Sequence, residues 1–187
     1  MPLTANEQYL LELINRARLD PAGEAQRYGL SDLNRNLAPG TITADAKQPL
    51  APNEFLNLAA DNHSQWMLDN DVFSHTGAGG STAGQRMEAA GYVFTGSWTW
   101  GENIAWSGQS FGLDFNAQID VHHQGLFLSD GHRSNLLSPN FREVGLGQVR
   151  GNFTDAQANV AAIRRTIAES DAWRKIQQGA ARGKRSS

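Results

Sequence analysis

Apolar side chains recur at helical spacing in four stretches of the chain, separated by segments rich in turn-forming residues. Leu10, Leu13, Ile14 and Ala17 follow the i, i+3, i+4, i+7 pattern, and Thr4 with Glu7 forms a capping box ahead of them. Asp20-Pro21 closes that helix, because the residue before a proline is pushed out of the α region. The same pair opens a short second helix ending near Gly29, and residues 30–51 read as loop. A further helix is predicted from about Asn53 to Leu68, with Leu56, Ala59, Ala60, His63 and Met67 on one stripe, so a histidine falls on the buried face. Past the turn-rich run Ser74–Gly80, Thr82 and Gln85 form a second capping box, with Gly91 as a natural stop. The fourth long stretch runs from about Asp114 to Leu128, with Phe115, Ile119, His122 and Leu126 aligned and Gly131 ending the pattern. Two segments read as β instead. Residues 92–106 carry aromatic and β-branched side chains around Gly101-Glu102-Asn103, which predicts strand, turn, strand; Glu143 to Val149 predicts a strand with Val144 and Leu146 inward.

Composition narrows the class. At 187 residues, 40% hydrophobic and 19% charged, the chain suits one domain with a real core. No run approaches the ~18 apolar residues of a spanning helix. The absence of cysteine excludes a disulfide scaffold, thiolate zinc sites and cysteine nucleophiles. The opening Met1-Pro2-Leu3-Thr4 lacks the basic and apolar regions of a secretory signal. The net charge of −3 averages two unlike parts: residues 1–163 carry −8 and residues 164–187 carry +5. From Thr154 onward Ala, Arg and Gln dominate, so a helix over 155–178 and a solvated tail over 179–187 are expected. Apart from Trp173 the basic tail lacks the interleaved aromatics of a nucleic-acid binder, and no nucleic-acid partner is expected.

Candidate chemistry rests on five histidines: His63, His75, His122, His123 and His132. His75 and His132 sit beside glycines in turns, where loops project side chains into clefts, and Glu102 lies in a turn of the same kind. Two imidazoles and a carboxylate suit either a divalent cation such as Zn²⁺ or acid/base work on a polar ligand. His63 reads as a core histidine, and His122 with His123 as a surface histidine beside a partly buried one. Ser74 precedes His75 directly, and adjacent residues do not make a nucleophile–base pair. Trp98, Trp100 and Trp106 read as packing at a sheet edge, with a carbohydrate or lipid platform as the sharper alternative. Asn152-Phe153-Thr154 matches a glycosylation sequon, a pattern common by chance.

Taken together, five blocks over about residues 6–150 resemble bacterial CAP domains (cysteine-rich secretory protein, antigen 5, pathogenesis-related; also called SCP-like). They are Leu13-Ile14-Asn15-Arg16-Ala17-Arg18 with Asp20-Pro21; Leu58-Ala59-Ala60 through His63 to Phe73-Ser74-His75; Arg86 through Gly91-Tyr92; Gly101-Glu102-Asn103-Ile104-Ala105; and Leu126 to Leu137 with Phe141 to Gly147. The resemblance implies an α+β fold: a three-layer α-β-α sandwich with a central antiparallel sheet and a cleft lined by His and Glu. Matched by position, His75 and Glu102 are two members of the family's acidic/histidine site, His132 faces the same cleft, and His63 stands behind it. His75 and His132 are the implied metal ligands, and Glu102 is the candidate catalytic group.

One departure concerns the C-terminus, where the Ala-rich sequence after Thr154 means the closing strand is missing or replaced. A CAP domain over residues 1–153 and an atypical helical, basic tail over 154–187 are therefore expected. The other departure is the missing leader in a mostly extracellular family. The resemblance implies an extracellular or cell-envelope monomer, a binding or effector module for a small-molecule, cell-wall or lipid ligand, with Zn²⁺ or another divalent cation as the implied cofactor. Its rival is a metal-assisted hydrolase using the same cleft, with Glu102 as base or ligand.

Overall fold

In the computed structural model the described residues are 2–107 and 115–151. They belong to the first of two compact units, Met1–Gly151. The expected helix over 155–178, the basic tail, the sequon and the question of a closing strand lie outside the described residues.

The locally signalled helices form where their caps are. Helix α1 (Ala5–Leu19) starts at Thr4, whose hydroxyl accepts from the Glu7 amide while Glu7 reaches back, and it ends at Asp20. Asp20 then caps α2 (Pro21–Arg27) through the Gly23 amide. After a long loop and the short strand β1 (Ala51–Pro52), Asn53 caps α3 (Glu54–Asp69). The Thr82/Gln85 box opens α4 (Ala83–Ala89), and Gly91, at φ 102°, follows its end in a conformation that favours glycine. Helix α5 (Phe115–Leu128) buries Ile119, His123, Leu126 and Phe127, so the inward histidine is His123 and not its neighbour His122.

A sixth helix, α6 (Asp130–Leu136), runs straight through Gly131, the residue expected to end the pattern. Ser129 takes the extended N-cap conformation and Asp130 supplies the acidic first turn, so the chain restarts a helix there.

The β content is smaller than expected. Strand β2 (Glu143–Val144) pairs with β1 in parallel, Ala51 opposite Glu143 and Pro52 opposite Val144. This two-stranded pair is the sheet found among the described residues. Residues 92–106 do not form the expected strand, turn, strand. A strand needs a partner along its edge, and no described segment supplies one to 92–106, whatever its β propensity. The α+β class holds, while the described sheet is a parallel pair and not an antiparallel layer.

The core gathers where α1 packs on α2, α5 and α6. Leu11, Ile14, Ala17, Leu30, Ile42, Leu50, Phe127, Leu137 and Leu146 fill it. Two guanidinium groups, both 0% exposed, bind loops to this core. Arg18 donates to the carbonyls of Gln48, Leu136, Ser138 and Phe141 at 2.7–3.3 Å. Arg133 donates to those of Leu33, Arg35, Phe127 and Leu128 at 2.7–3.1 Å. Each buried cation thus finds carbonyl acceptors in place of water.

Candidate functional site

Glu102 sits in a loop that α6 holds in place. Asn135 of α6 donates to the Glu102 carbonyl at 3.4 Å and to Asn103 Oδ1 at 2.9 Å, and Asn103 donates to the His132 carbonyl at 3.2 Å. A Cβ on Gly101 would press on the Asn135 amide and Phe141, so the loop approaches α6 closely. This stitching brings the Glu102 turn beside the helix that carries His132.

The carboxylate of Glu102 is engaged at both oxygens. Oε1 accepts from Nδ1–H of His75 at 2.8 Å, and Oε2 accepts from Nη2 of Arg86. With Nδ1 engaged by Glu102, the Nε2 of His75 is left for another partner, and the side chain is 57% exposed. Arg86, on α4, also donates to the carbonyls of His75 and Ser81 at 3.1 and 2.9 Å, so one guanidinium fixes the charge of Glu102 and the loop bearing His75.

Behind them, His63 lies on the buried stripe of α3, its Nε2–H donating to the Ser74 carbonyl at 2.9 Å and its ring stacked on Trp66. Burial, then the charge of Arg86, lowers its pKa. Its Nδ1 is buried with no partner among the described residues. His132 contacts the Ser129 hydroxyl through Nδ1 at 2.9 Å, and burial followed by the charge of His75 lowers its pKa. His122 contacts the Ser107 hydroxyl through Nε2 at 2.8 Å. His123 lies in the core against Glu24 at 3.0 Å.

A metal does not fit easily here. Among the described residues no group of three His, Cys, Asp or Glu side chains is placed to hold one ion. Both oxygens of Glu102 are engaged by His75 and Arg86, and the imidazole nitrogens left open are Nε2 of His75, Nε2 of His132 and the buried Nδ1 of His63. Zinc sites ordinarily take three or four protein ligands.

The sequence model of the cysteine-rich secretory protein family, CAP, matches residues 11–161. The chain belongs to that family. Among solved structures it is similar to an extracellular protein containing an SCP domain from Bacillus anthracis strain Ames, at 25% identity and a TM-score of 0.51. The similarity covers 80% of this chain and 41% of the other, so the chain spans about two-fifths of that protein's length. No curated protein matches it. Membership in CAP agrees with the five sequence blocks, and the Glu102–His75 pair joins two of them. Arg86 lies in a third block, yet its part as the clamp on Glu102 had no signal in spacing: an arginine 16 residues before a carboxylate is unremarkable until the loop folds back. The exposed Trp98 and Trp100 do not pack as a sheet edge, since the expected strands are absent. No helix among the described residues is long and apolar enough to cross a membrane.

Proposed function

We propose that the chain is an extracellular binding module whose cleft offers the Nε2 atoms of His75 and His132 to a polar group of a ligand, without turning the ligand over. The observation that carries this reading is the state of Glu102. A general base has to come within hydrogen-bond reach of the proton it removes, which a carboxylate pinned by fixed partners on both oxygens is poorly placed to do. Glu102 instead accepts from His75 on one oxygen and Arg86 on the other, and so serves as the support that orients the His75 ring. Family membership and the extracellular Bacillus anthracis neighbour support a place outside the cytoplasm. The ligand classes that suit a small exposed polar cleft are a small molecule, a cell-wall fragment or a lipid headgroup.

The metal-assisted hydrolase stays as the second reading, because a carboxylate on Nδ1 with Nε2 turned outward is how ligating histidines are commonly oriented. Hydrolysis assays on ester, peptide and cell-wall substrates, with and without added zinc, separate the two. The binding reading expects no turnover above buffer. Turnover abolished by Glu102→Gln would replace it with the hydrolase. Calorimetric titration with zinc decides the cofactor: saturable binding lost in a His75→Ala, His132→Ala double variant supports a metal-bearing cleft, and binding that survives removes it.

A further inference from the structure

The loop leading to Glu102 carries an aromatic strip that the cleft does not use. Tyr92 meets Phe94 edge-on, with ring centres 5.0 Å apart, and Phe94 backs Trp98 at 4.6 Å. The strip is anchored at its root, where the Tyr92 hydroxyl donates to Glu143 of β2 at 2.7 Å. Trp98 is nonetheless 56% exposed and Trp100 39%. Trp100 is supported differently: a Cβ on Gly84 would lie only 2.7 Å from its Nε1, so the indole rests directly on α4. Glycine is a poor helix former, and its place inside α4 is explained by the ring it admits. Two exposed indoles are thus held from behind, one by a phenyl ring and one by a bare backbone.

Charge and polarity select what such rings would meet. Between Arg86 and Arg133 the sequence has no Lys or Arg and five carboxylates, Glu88, Glu102, Asp114, Asp120 and Asp130. Anionic lipids, nucleic acids and acidic polysaccharides therefore find no cation in this stretch. The exposed Thr95, Ser97 and Thr99 alternate with the rings, and burial in a membrane would strip their hydroxyls of water. A neutral sugar presents the matching surface. Its C–H face carries partial positive charge that complements the negative face of an indole, while its hydroxyls bond to Thr and Ser. We propose that Trp98 and Trp100 form a stacking platform for a neutral oligosaccharide, beside the cleft and independent of what the cleft binds.

Titration of the full chain with cellohexaose, chitohexaose and maltohexaose, read by calorimetry and indole emission, tests the platform. Saturable binding to at least one sugar, with a shift in emission, is expected. Trp98→Ala should weaken it by about tenfold or more, the scale of one lost stacking contact, while Trp98→Tyr retains most of it. Gly84→Ala should also weaken binding by displacing Trp100, with far-ultraviolet dichroism unchanged, and it decides the matter if Trp98→Ala fails to fold. The platform is overturned if none of the three sugars binds, or if folded Trp98→Ala binds as tightly as the parent. It is equally overturned if the chain partitions onto phosphatidylcholine or phosphatidylcholine–sterol vesicles in preference to the sugars. Loss of sugar binding in His75→Ala without loss in Trp98→Ala would place the sugar in the cleft and overturn it as well.

Discussion

His63 and Ser74 are tied by a 2.9 Å hydrogen bond from the imidazole Nε2–H to the carbonyl one residue before His75. The ring is 3% exposed and stacks on Trp66, so α3 decides where the loop delivers its histidine. The sequence stripe placed His63 on the buried face, and the family resemblance placed it behind the cleft. The buried position holds, and the same ring reaches the backbone next to His75.

Replacing His63 with alanine removes that tie and leaves the Ser74 carbonyl without its donor. The expected cost is about 1–3 kcal/mol of stability. Amide exchange over 74–77 should accelerate about tenfold in excess of the global change, because the His63 bond is the tie from α3 to this loop, which Arg86 and Glu102 hold from the other side. Exchange measured residue by residue checks this, and equal acceleration throughout the chain would assign His63 to the core alone.

Acid should destabilise the fold from near neutrality. Burial holds His63, His122, His123 and His132 below the ordinary 6.5, with nearby cations adding to the effect at His63 and His132. Between those lowered values and 6.5 the unfolded chain binds protons that the folded chain refuses, so stability falls as pH drops through that window. Glu24 extends the loss. Burial alone would raise its pKa, but hydrogen bonds from Arg16 and His123 and the charge of Arg16 hold it below 4.5. Its contribution is present above 4.5 and lost below. Tyr28, pushed up to about 12 by burial and by Glu24, titrates outside this range. Urea midpoints should decline steadily from about pH 7.5 to about pH 4, and a flat profile would contradict the account.

What could be read from the sequence divides by the range of the interaction. Thr4 with Glu7, Thr82 with Gln85, and Asp20 with Pro21 act within three residues, and their helices begin where those signals stand. Ser129-Asp130 carries the same kind of start signal for α6, and Gly131, a stop by composition, lies inside it, because an exposed glycine is tolerated in a helix that tertiary contacts require. The stripe through His122 is one residue out of helical phase: His123 is the buried member of the pair, held by Glu24, 99 residues away. The segment 92–106 had β propensity without a described partner. The glycine-flanked turns and the resemblance name His75 and Glu102 as candidates, but their direct contact is not legible locally, because 27 residues separate them.

Arg18 and Arg133 should be among the least replaceable residues in the chain. Methionine at either position fills similar space but takes the guanidinium donors away from four carbonyls, leaving Phe141 with Arg142 and Leu128 with Arg35 as remaining side-chain donors. A loss of about 3 kcal/mol or more is expected for Arg133→Met. Lysine keeps the charge but lacks the planar fork that spans Leu33, Arg35 and the end of α5, so Arg133→Lys should recover less than half of that loss. Urea unfolding of both variants measures the two effects.

Gly145 and Gly125 should respond to alanine with opposite signs. Gly145 lies against α3 so closely that a Cβ would collide with the Leu56 backbone, and Gly147 meets Ala60 and Asp61 in the same way. The stretch is fastened there: Asn57 accepts from the Leu146 amide at 3.1 Å, and Ser64 donates to the Gly147 carbonyl at 3.1 Å. Relief of the clash would have to move α3 or break these bonds, which also shifts β2 and, through α3, the His63 support of the site. Gly145→Ala should therefore cost about 3 kcal/mol, the upper end for overpacking. Gly125 sits exposed on α5 with open space where its Cβ would go. Alanine there removes backbone freedom from the unfolded chain at no steric cost and should add about 0.5–1 kcal/mol. Thermal and urea unfolding of the two variants side by side give the test. A stabilised Gly145→Ala would mean that the chain after β2 does not press on α3 as described.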